Sequence, residues 1–334
     1  QAPIAMSPGH GDAIPCTHRL YAGQVGPRGN AVASDLAKRA DVILALGTRL
    51  GFNTTFYSYD NLNKDAKIIQ VEVEPTAIGR FFPVEIGVVG FAGEVSQGLR
   101  SVMQGHAPGN EVRDWCEAFV QARKAFVEKR DADAGTGSDP LQPAFLFKTL
   151  RQVLPDDAMY TMDAGTLCLQ ATDNMRYAQT PALFTPLDFG LVGFSYACGL
   201  GVKLARPDRT VISLMGDGGF GMAHSEIGTA VANGISTVCI VMNNGCWGAE
   251  KAYQRDFFGE RYIGADVPNP PYDKLAELWG ARGFRVDHAA DLAKTVAEAV
   301  ACGKPAVVDV KVDPAALYSF RRDSFKHRAQ NNKG

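Results

Sequence analysis

The sequence predicts an α/β protein built from two doubly wound parallel-sheet domains, and three observations carry that expectation. Short apolar runs alternate with helix-forming segments through the first hundred residues; a stretch at 131–140, rich in Asp, Gly, Ser and Pro, interrupts the alternation; from residue 141 it restarts. Strands covered on both faces read as near-continuous apolar runs, the pattern of parallel sheets flanked by helices.

Taken in order, Ala2-Pro3-Ile4 reads as an interior strand, and the Ala-, Leu- and Lys-rich segment 30–40 leads into a strand at 41–47. Further β-rich runs occupy 67–73 and 84–89. Residues 104–110 are Gly-, Pro- and polar-rich, 111–129 form a charged helix, and 131–140, with almost nothing apolar, reads as an interdomain linker. The expected division is therefore a first domain at 1–106, a connecting helix and linker at 107–140, and a second domain at 141–334. In the second domain strands are expected at 158–162, 210–215, 237–242, 283–286 and 306–312. Helices are expected at 144–153, 193–205, 224–233, 272–280 and 291–301.

Composition narrows the class. A chain of 334 residues exceeds the size at which one core stops growing, so two domains are expected. The formal net charge of -2, with both signs interspersed, gives no field for nucleic acid or an anionic membrane. No apolar run approaches a bilayer-spanning length, and no signal peptide precedes the first residue. Seven cysteines (16, 116, 168, 198, 239, 246 and 302) lack any CxxC pair and read as reduced thiols of a cytoplasmic protein. The chain opens on Gln1 rather than Met and reads as a piece of something longer.

Chemistry concentrates in two segments. An apolar strand at 210–215 runs into Gly216-Asp217-Gly218-Gly219, and a second at 237–242 runs into Asn243-Asn244-Gly245. Two parallel neighbours would thus present a carboxylate and a carboxamide at their carboxyl ends, where open α/β sheets bind ligands. Asp217 and Asn244 are hard oxygen donors suited to magnesium, which often takes phosphate oxygens as further ligands. The glycines let backbone N–H groups approach a diphosphate, and a helix expected to begin near Ala223 would aim its positive end there.

This GDG, followed at a distance of 24 residues by NN, resembles the signature of thiamin-diphosphate-dependent enzymes. Asp188-Phe-Gly-Leu-Val-Gly-Phe194 resembles the family's segment below the aminopyrimidine, which implies contacts from Gly190 and Val192, with Val192 as the apolar wedge that bends the cofactor. Asp163-Ala164-Gly165 is a third match, implying that Thr166 and Leu167 reach the diphosphate beside Gly165. The segment 273–286 looks like the family's next helix and strand. By the same resemblance Cys246 offers its backbone carbonyl, not its thiol, to Mg2+ alongside Asp217 and Asn244. Gly216, Gly218, Gly219, Trp247 and Gly248 complete the implied cofactor contacts.

The resemblance covers nearly the whole chain. Gly47-Thr48-Arg49 and Glu72-Val-Glu-Pro75 resemble the Rossmann-like central domain of the acetolactate synthase and 2-oxoacid decarboxylase group, here without its first strand and helix. The tracts 64–71, 78–79, 247–251 and Phe320-Arg-Arg-Asp323 look like those of the sulfoacetaldehyde acetyltransferases within that group.

That resemblance implies an acyl transferase or lyase that attacks the carbonyl of a small aldehyde or 2-oxoacid. In the acetyltransferase form sulfite leaves sulfoacetaldehyde and phosphate takes the acetyl group; a carboligase, a 2-oxoacid decarboxylase or a truncated cofactor-binding scaffold are the alternatives. It also implies a partner: a pyrimidine-binding domain, from a preceding segment or another subunit of a homodimer or homotetramer, that supplies the catalytic glutamate. No catalytic residue is therefore assigned within the chain.

Other residues read more plainly. His224 suits a helix surface or cap, and Glu226 a structural hydrogen bond. Cys246 has no neighbouring base that would make its thiol a nucleophile. Arg321, Arg322, Lys326 and Arg328 form either a solvated tail or a lid that pairs with phosphate or sulfonate. Gly47-Thr48-Arg49 marks the place where relatives bind flavin or adenine nucleotides, with no nucleotide expected here.

Overall fold

The computed structural model describes residues 2–27 and 29–318. The basic run at Arg321, Arg322, Lys326 and Arg328 and the tract 320–323 lie outside them. The chain divides into two compact units. The first takes the opening stretch to Pro8 together with His18–Val127; the second takes Gly9–Thr17 and resumes at Glu128.

In the first unit β1 (Ile4–Met6) pairs in parallel with β2 (Tyr21–Gln24). Helix α1 (Ala31–Arg39) starts where the Asn30 side chain accepts a hydrogen bond from the Ala33 N–H at 2.8 Å, and it carries Lys38 and Arg39 in its last turn, where a helix favours cations. Then come β3 (Val42–Leu46), the single turn α2 (Phe52–Thr55), β4 (Lys67–Glu72) and β5 (Ile86–Val89). These three strands form a parallel sheet in that order, with Leu44 opposite Ile69 and Ile69 opposite Ile86. Helices α3 (Ala92–Val102) and α4 (Asn110–Asp133) follow. Leu20, Ala22, Ala33, Leu36, Cys116 and Phe119 make one core cluster here, and Ala45, Leu50, Leu62, Ile68 and Phe82 another.

Strand β2 was not legible, because Tyr-Ala-Gly-Gln carries neither an apolar run nor a strict alternation. Its four residues are all buried nonetheless. Helix α4 continues through the first three residues of the expected linker, helped by the Lys129–Asp133 pair at 2.7 Å, one turn apart.

The second unit is built on α5 (Pro143–Val153), β6 (Met159–Met162), α6 (Thr166–Ala171), β7 (Leu183–Phe184), α7 (Phe194–Ala205) and β8 (Val211–Gly216). It continues with α8 (Asp217–Ala223), α9 (Glu226–Ala232), β9 (Val238–Asn243), α10 (Gly248–Phe257), α11 (Tyr272–Leu278), β10 (Arg282–Val286), α12 (Leu292–Ala301) and β11 (Ala306–Lys311). One six-stranded, wholly parallel sheet runs in the order β10-β11-β9-β8-β6-β7. Leu146, Phe147 and Leu150 of α5 pack with Ile212, Leu214, Ile240 and Val308 of the sheet, all essentially without solvent contact. Fully burying each such side chain stabilises the fold by roughly 1.5–3 kcal/mol.

The topology fixes where a ligand belongs. From β6 the chain moves outward to β7 at one edge, then returns to lay β8 on the other side of β6. Connections leave β6 and β8 in opposite directions, so a crevice opens at their carboxyl ends. The loops that begin at Asp163 and at Gly216 both leave the sheet there. Among the described residues no helix is long and apolar enough to cross a membrane.

Candidate cofactor and metal site

Asp163 follows directly on β6. It is wholly buried, and its carboxylate accepts hydrogen bonds from the Gly193 N–H at 3.1 Å and the Ser195 N–H at 3.3 Å, at the start of α7. Burial pushes its carboxyl above the usual range, against the pull of those backbone donors. A Cβ placed on Gly219 would lie 2.0 Å from Asp163 Oδ2 and 3.4 Å from Val192 Cγ1, so only glycine fits between them. Asp163 thereby ties the 190–195 segment to the glycine loop after β8.

Asp217 opens α8 and is 2% exposed. This corrects one expectation: the helix expected from near Ala223 is α9, which starts at Glu226, and a separate helix, α8, precedes it, so α8 and not α9 has its first turn at Asp217. Glycine-rich sequence disfavours a helix by propensity, but close packing overrides it. Gly218 lies under Trp247, whose ring carbons would be 2.6 Å from a Cβ at that position, and Phe220 is fully buried. The first-turn N–H groups of α8 therefore stand at the crevice beside Asp217 itself.

Strand β9 lies beside β8, with Met242 opposite Gly216, so the 243–248 turn faces the glycine loop. Asn244 Oδ1 accepts the Cys246 N–H at 3.2 Å, a local turn that folds the segment back on itself. The turn is pinned from outside by 265–267: Trp247 N–H donates to the Ala265 carbonyl at 2.8 Å, and Val267 N–H to the Gly245 carbonyl at 2.9 Å. A Cβ on Gly248 would meet Asn244 Nδ2 at 3.2 Å and Thr166 Oγ1 at 3.4 Å. Thr166, at the start of α6, thus stands beside Asn244 and Gly248.

The remaining sequence-derived residues are distributed as follows. Gly165 precedes α6 with φ of +107°, in open space that a glycine alone reaches without strain. The Leu167 side chain packs into the core, so only its backbone is at hand for a ligand. Gly190 sits on an exposed loop at φ of +79°, two residues before Val192, with no atom crowding it. The Cys246 thiol is buried, and burial pushes it up to about 11, opposed by the Lys251 ammonium. That thiol is no nucleophile at neutral pH.

The fit to a divalent cation can be tested on Asp217. Burial raises its carboxyl, and the groups that hold it are the Asn269 amide and backbone N–H groups, with no cation among them. A buried carboxylate without a compensating charge is costly, and a bound cation relieves that cost. The donor set of one carboxylate, one amide oxygen and a backbone carbonyl is hard and all-oxygen, as magnesium prefers. Among the described residues no three His, Cys, Asp or Glu side chains cluster to offer a rival metal site. The set fits.

Three residues at the site escaped the sequence reading. Asn269 Nδ2 donates to Asp217 Oδ2 at 2.6 Å and to Asn243 Oδ1 at 3.0 Å. Asp309 on β11 accepts from Asn243 Nδ2 at 2.9 Å and from the Tyr272 N–H at 3.1 Å. The Tyr272 hydroxyl lies 2.8 Å from Asn269 Oδ1 and 3.0 Å from the Asp217 carbonyl. None lies near the GDG or NN segments in sequence. The available signal was weak: a polar residue before two prolines, and one acid inside an otherwise apolar strand.

Comparison with known proteins agrees with this geometry. Residues 163–310 match the thiamine pyrophosphate enzyme C-terminal TPP-binding domain, and residues 1–99 match the thiamine pyrophosphate enzyme central domain. The chain is 30% identical to a sulfoacetaldehyde acetyltransferase of Alcaligenes xylosoxydans xylosoxydans, over 97% of this chain and 58% of that protein. It is 32% identical to a probable sulfoacetaldehyde acetyltransferase of Rhizobium meliloti strain 1021, over 97% and 59% respectively. The acetolactate synthase isozyme 3 large subunit of Escherichia coli K12 is 29% identical over 90% of this chain and 53% of its own length. The chain thus spans less than two thirds of each of these relatives. The chain belongs to the thiamine pyrophosphate enzyme family, of which it carries a central domain and a C-terminal cofactor-binding domain.

Proposed function

We propose that the full-length protein is a thiamin-diphosphate- and magnesium-dependent acetyltransferase that converts sulfoacetaldehyde and phosphate to acetyl phosphate and sulfite. The observation that carries the cofactor part is the meeting of Asp217 with the Asn244–Cys246 turn at the carboxyl ends of neighbouring strands. Similarity to proteins named sulfoacetaldehyde acetyltransferase supports the substrate part.

In this reading Asp217, the Asn244 amide oxygen and the Cys246 carbonyl would hold the magnesium, and the first-turn N–H groups of α8 would be available to the diphosphate. When bound, the cofactor supplies a nucleophilic ring carbon and an electron sink, and the metal neutralises diphosphate charge. Val192, beside Gly219, offers an apolar side chain that would support the cofactor. Asp163 keeps that segment in register through the Gly193 and Ser195 N–H groups. The acid that protonates the aminopyrimidine comes from a pyrimidine-binding domain outside this chain, in a homo-oligomer whose active sites lie between subunits.

The test is turnover by the full-length protein on sulfoacetaldehyde with phosphate, against pyruvate as control. Acetyl phosphate and sulfite formed in equal amounts support the acetyltransferase. Acetolactate or acetaldehyde from pyruvate, with sulfoacetaldehyde untouched, would favour the carboligase or decarboxylase that the acetolactate synthase relative suggests.

A further inference from the structure

The Asn269 amide is held on every polar atom it has. Its nitrogen donates to Asp217 Oδ2 at 2.6 Å and to Asn243 Oδ1 at 3.0 Å, and its oxygen faces the Tyr272 hydroxyl at 2.8 Å. A flipped amide would set its oxygen against Asp217 Oδ2 and Asn243 Oδ1, two acceptors, so those contacts fix its orientation. Its neighbours are fixed in turn: Asn243 Nδ2 donates to Asp309 Oδ1, and Asp309 Oδ2 accepts the Tyr272 N–H. The same Tyr272 hydroxyl stands 3.0 Å from the Asp217 carbonyl, which closes the ring of contacts back on Asp217. Tyr272 is 1% exposed and Asp309 2%, while Asn243 and Asn269 are half-buried, so the network is anchored on its inner side in the core.

From this we infer that Asn269 is a positioning residue for the cation, fixing the plane of the Asp217 carboxylate and thereby setting which ion the site accepts. The inference rests on the reading of Asp217 as a metal ligand. Groups that orient a metal's ligands contribute to affinity without touching the ion. Magnesium demands a near-ideal octahedron and suffers when a ligand is misaligned, whereas calcium tolerates irregular oxygen sets. A carboxylate freed to rotate should therefore lose magnesium far more than calcium. Asn269 lies 52 residues from Asp217 and 26 from Asn243, so the fold alone brings the three together.

The test is calorimetry of thiamin diphosphate binding to the full-length protein at stepped Mg2+ or Ca2+, for wild type, Asn269→Ala and Tyr272→Phe. In Asn269→Ala the half-saturating Mg2+ should rise about tenfold, and the half-saturating Ca2+ by less than about threefold. The melting temperature of the cation-free protein should stay near that of wild type. Tyr272→Phe keeps the Asn269 amide but removes the hydroxyl that orients it, and should raise the Mg2+ requirement by about threefold with Ca2+ little changed. If Asn269→Ala does not fold, the Tyr272→Phe result decides. Unchanged Mg2+ dependence in a folded variant overturns the inference, as does equal weakening of both cations together with lost melting stability, which is what a merely structural residue would give. A wild type that binds cofactor with no need of divalent cation overturns the metal reading itself.

Discussion

Gly219 stands so close to Asp163 that a Cβ on the glycine would fall 2.0 Å from the carboxylate Oδ2. Asp163 has nowhere to retreat, being wholly buried and bonded to the Gly193 and Ser195 N–H groups. Gly219→Ala should therefore destabilise the protein by about 1–3 kcal/mol, although alanine is the better helix former by about 1 kcal/mol. Urea denaturation measures this directly. A variant as stable as wild type would mean that the two segments are not packed as described.

The Cys246 thiol should be dispensable. It is 3% exposed and burial pushes it up to about 11, so it is protonated at neutral pH. The part assigned to this residue belongs to its backbone carbonyl, which alanine retains. Cys246→Ala should keep the cofactor Kd within about twofold of wild type, since it removes one buried sulfur and leaves the backbone carbonyl in place. Loss of binding on removing only the sulfur would contradict the carbonyl assignment.

His288 and Asp139 give a pH signature to the 134–142 connection. His288 Nδ1 lies 2.9 Å from Asp139 Oδ2, and Asp139 Oδ1 accepts the Ala289 N–H at 2.8 Å. The hydrogen bond to Asp139 raises the imidazole above its ordinary value of 6.5, and the Ala289 N–H, followed by His288, lowers the carboxyl below 3.8. A raised histidine contributes stability that is complete below its unfolded value and is lost as pH rises through its folded one. The lowered carboxyl contributes above its unfolded value and is lost as pH falls through its folded one. The pair is thus strongest between about pH 4 and 6.5, and small because both groups are exposed. Melting curves of wild type and His288→Ala should differ most at pH 5–6 and converge near pH 8. A constant difference across that range would remove the ion pair from the explanation.

How much of this was legible in the sequence differs between elements for physical reasons. Strands β8 and β9 were readable because five consecutive residues of each are buried on both sheet faces and carry almost no polar side chain. Helices α6 and α8 were not. The first has six residues and the second seven, three of them glycine, so neither shows helical periodicity and both depend on tertiary packing. The GDG and NN segments could be paired from sequence because each ends a strand. Asn269 could not, since a polar residue before two prolines marks only a loop and not that the fold delivers it to Asp217 across 52 positions.

Residues 1–334 alone should bind the cofactor weakly and leave its reactive carbon unactivated. In the proposed reading the groups gathered here would address the metal, the diphosphate and one face of the pyrimidine, whereas activation needs an acid on the ring nitrogen in a dry site. Proton–deuterium exchange at the thiazolium carbon, followed by NMR with magnesium and cofactor in excess, should run near the free-cofactor rate. Exchange faster by several orders of magnitude would place the acid within this chain.

The central claim is that Asp217 and Asn244 together hold a magnesium–diphosphate unit at the ends of β8 and β9. The most direct measurement is calorimetric titration of thiamin diphosphate, with saturating magnesium, into full-length wild type, Asp217→Ala and Asn244→Ala. Circular dichroism and melting on the same samples confirm that each variant is folded. The account predicts a loss of at least about tenfold in affinity for Asn244→Ala and a larger loss for Asp217→Ala, whose charge faces the ion directly. Wild-type affinity in either folded variant would contradict it.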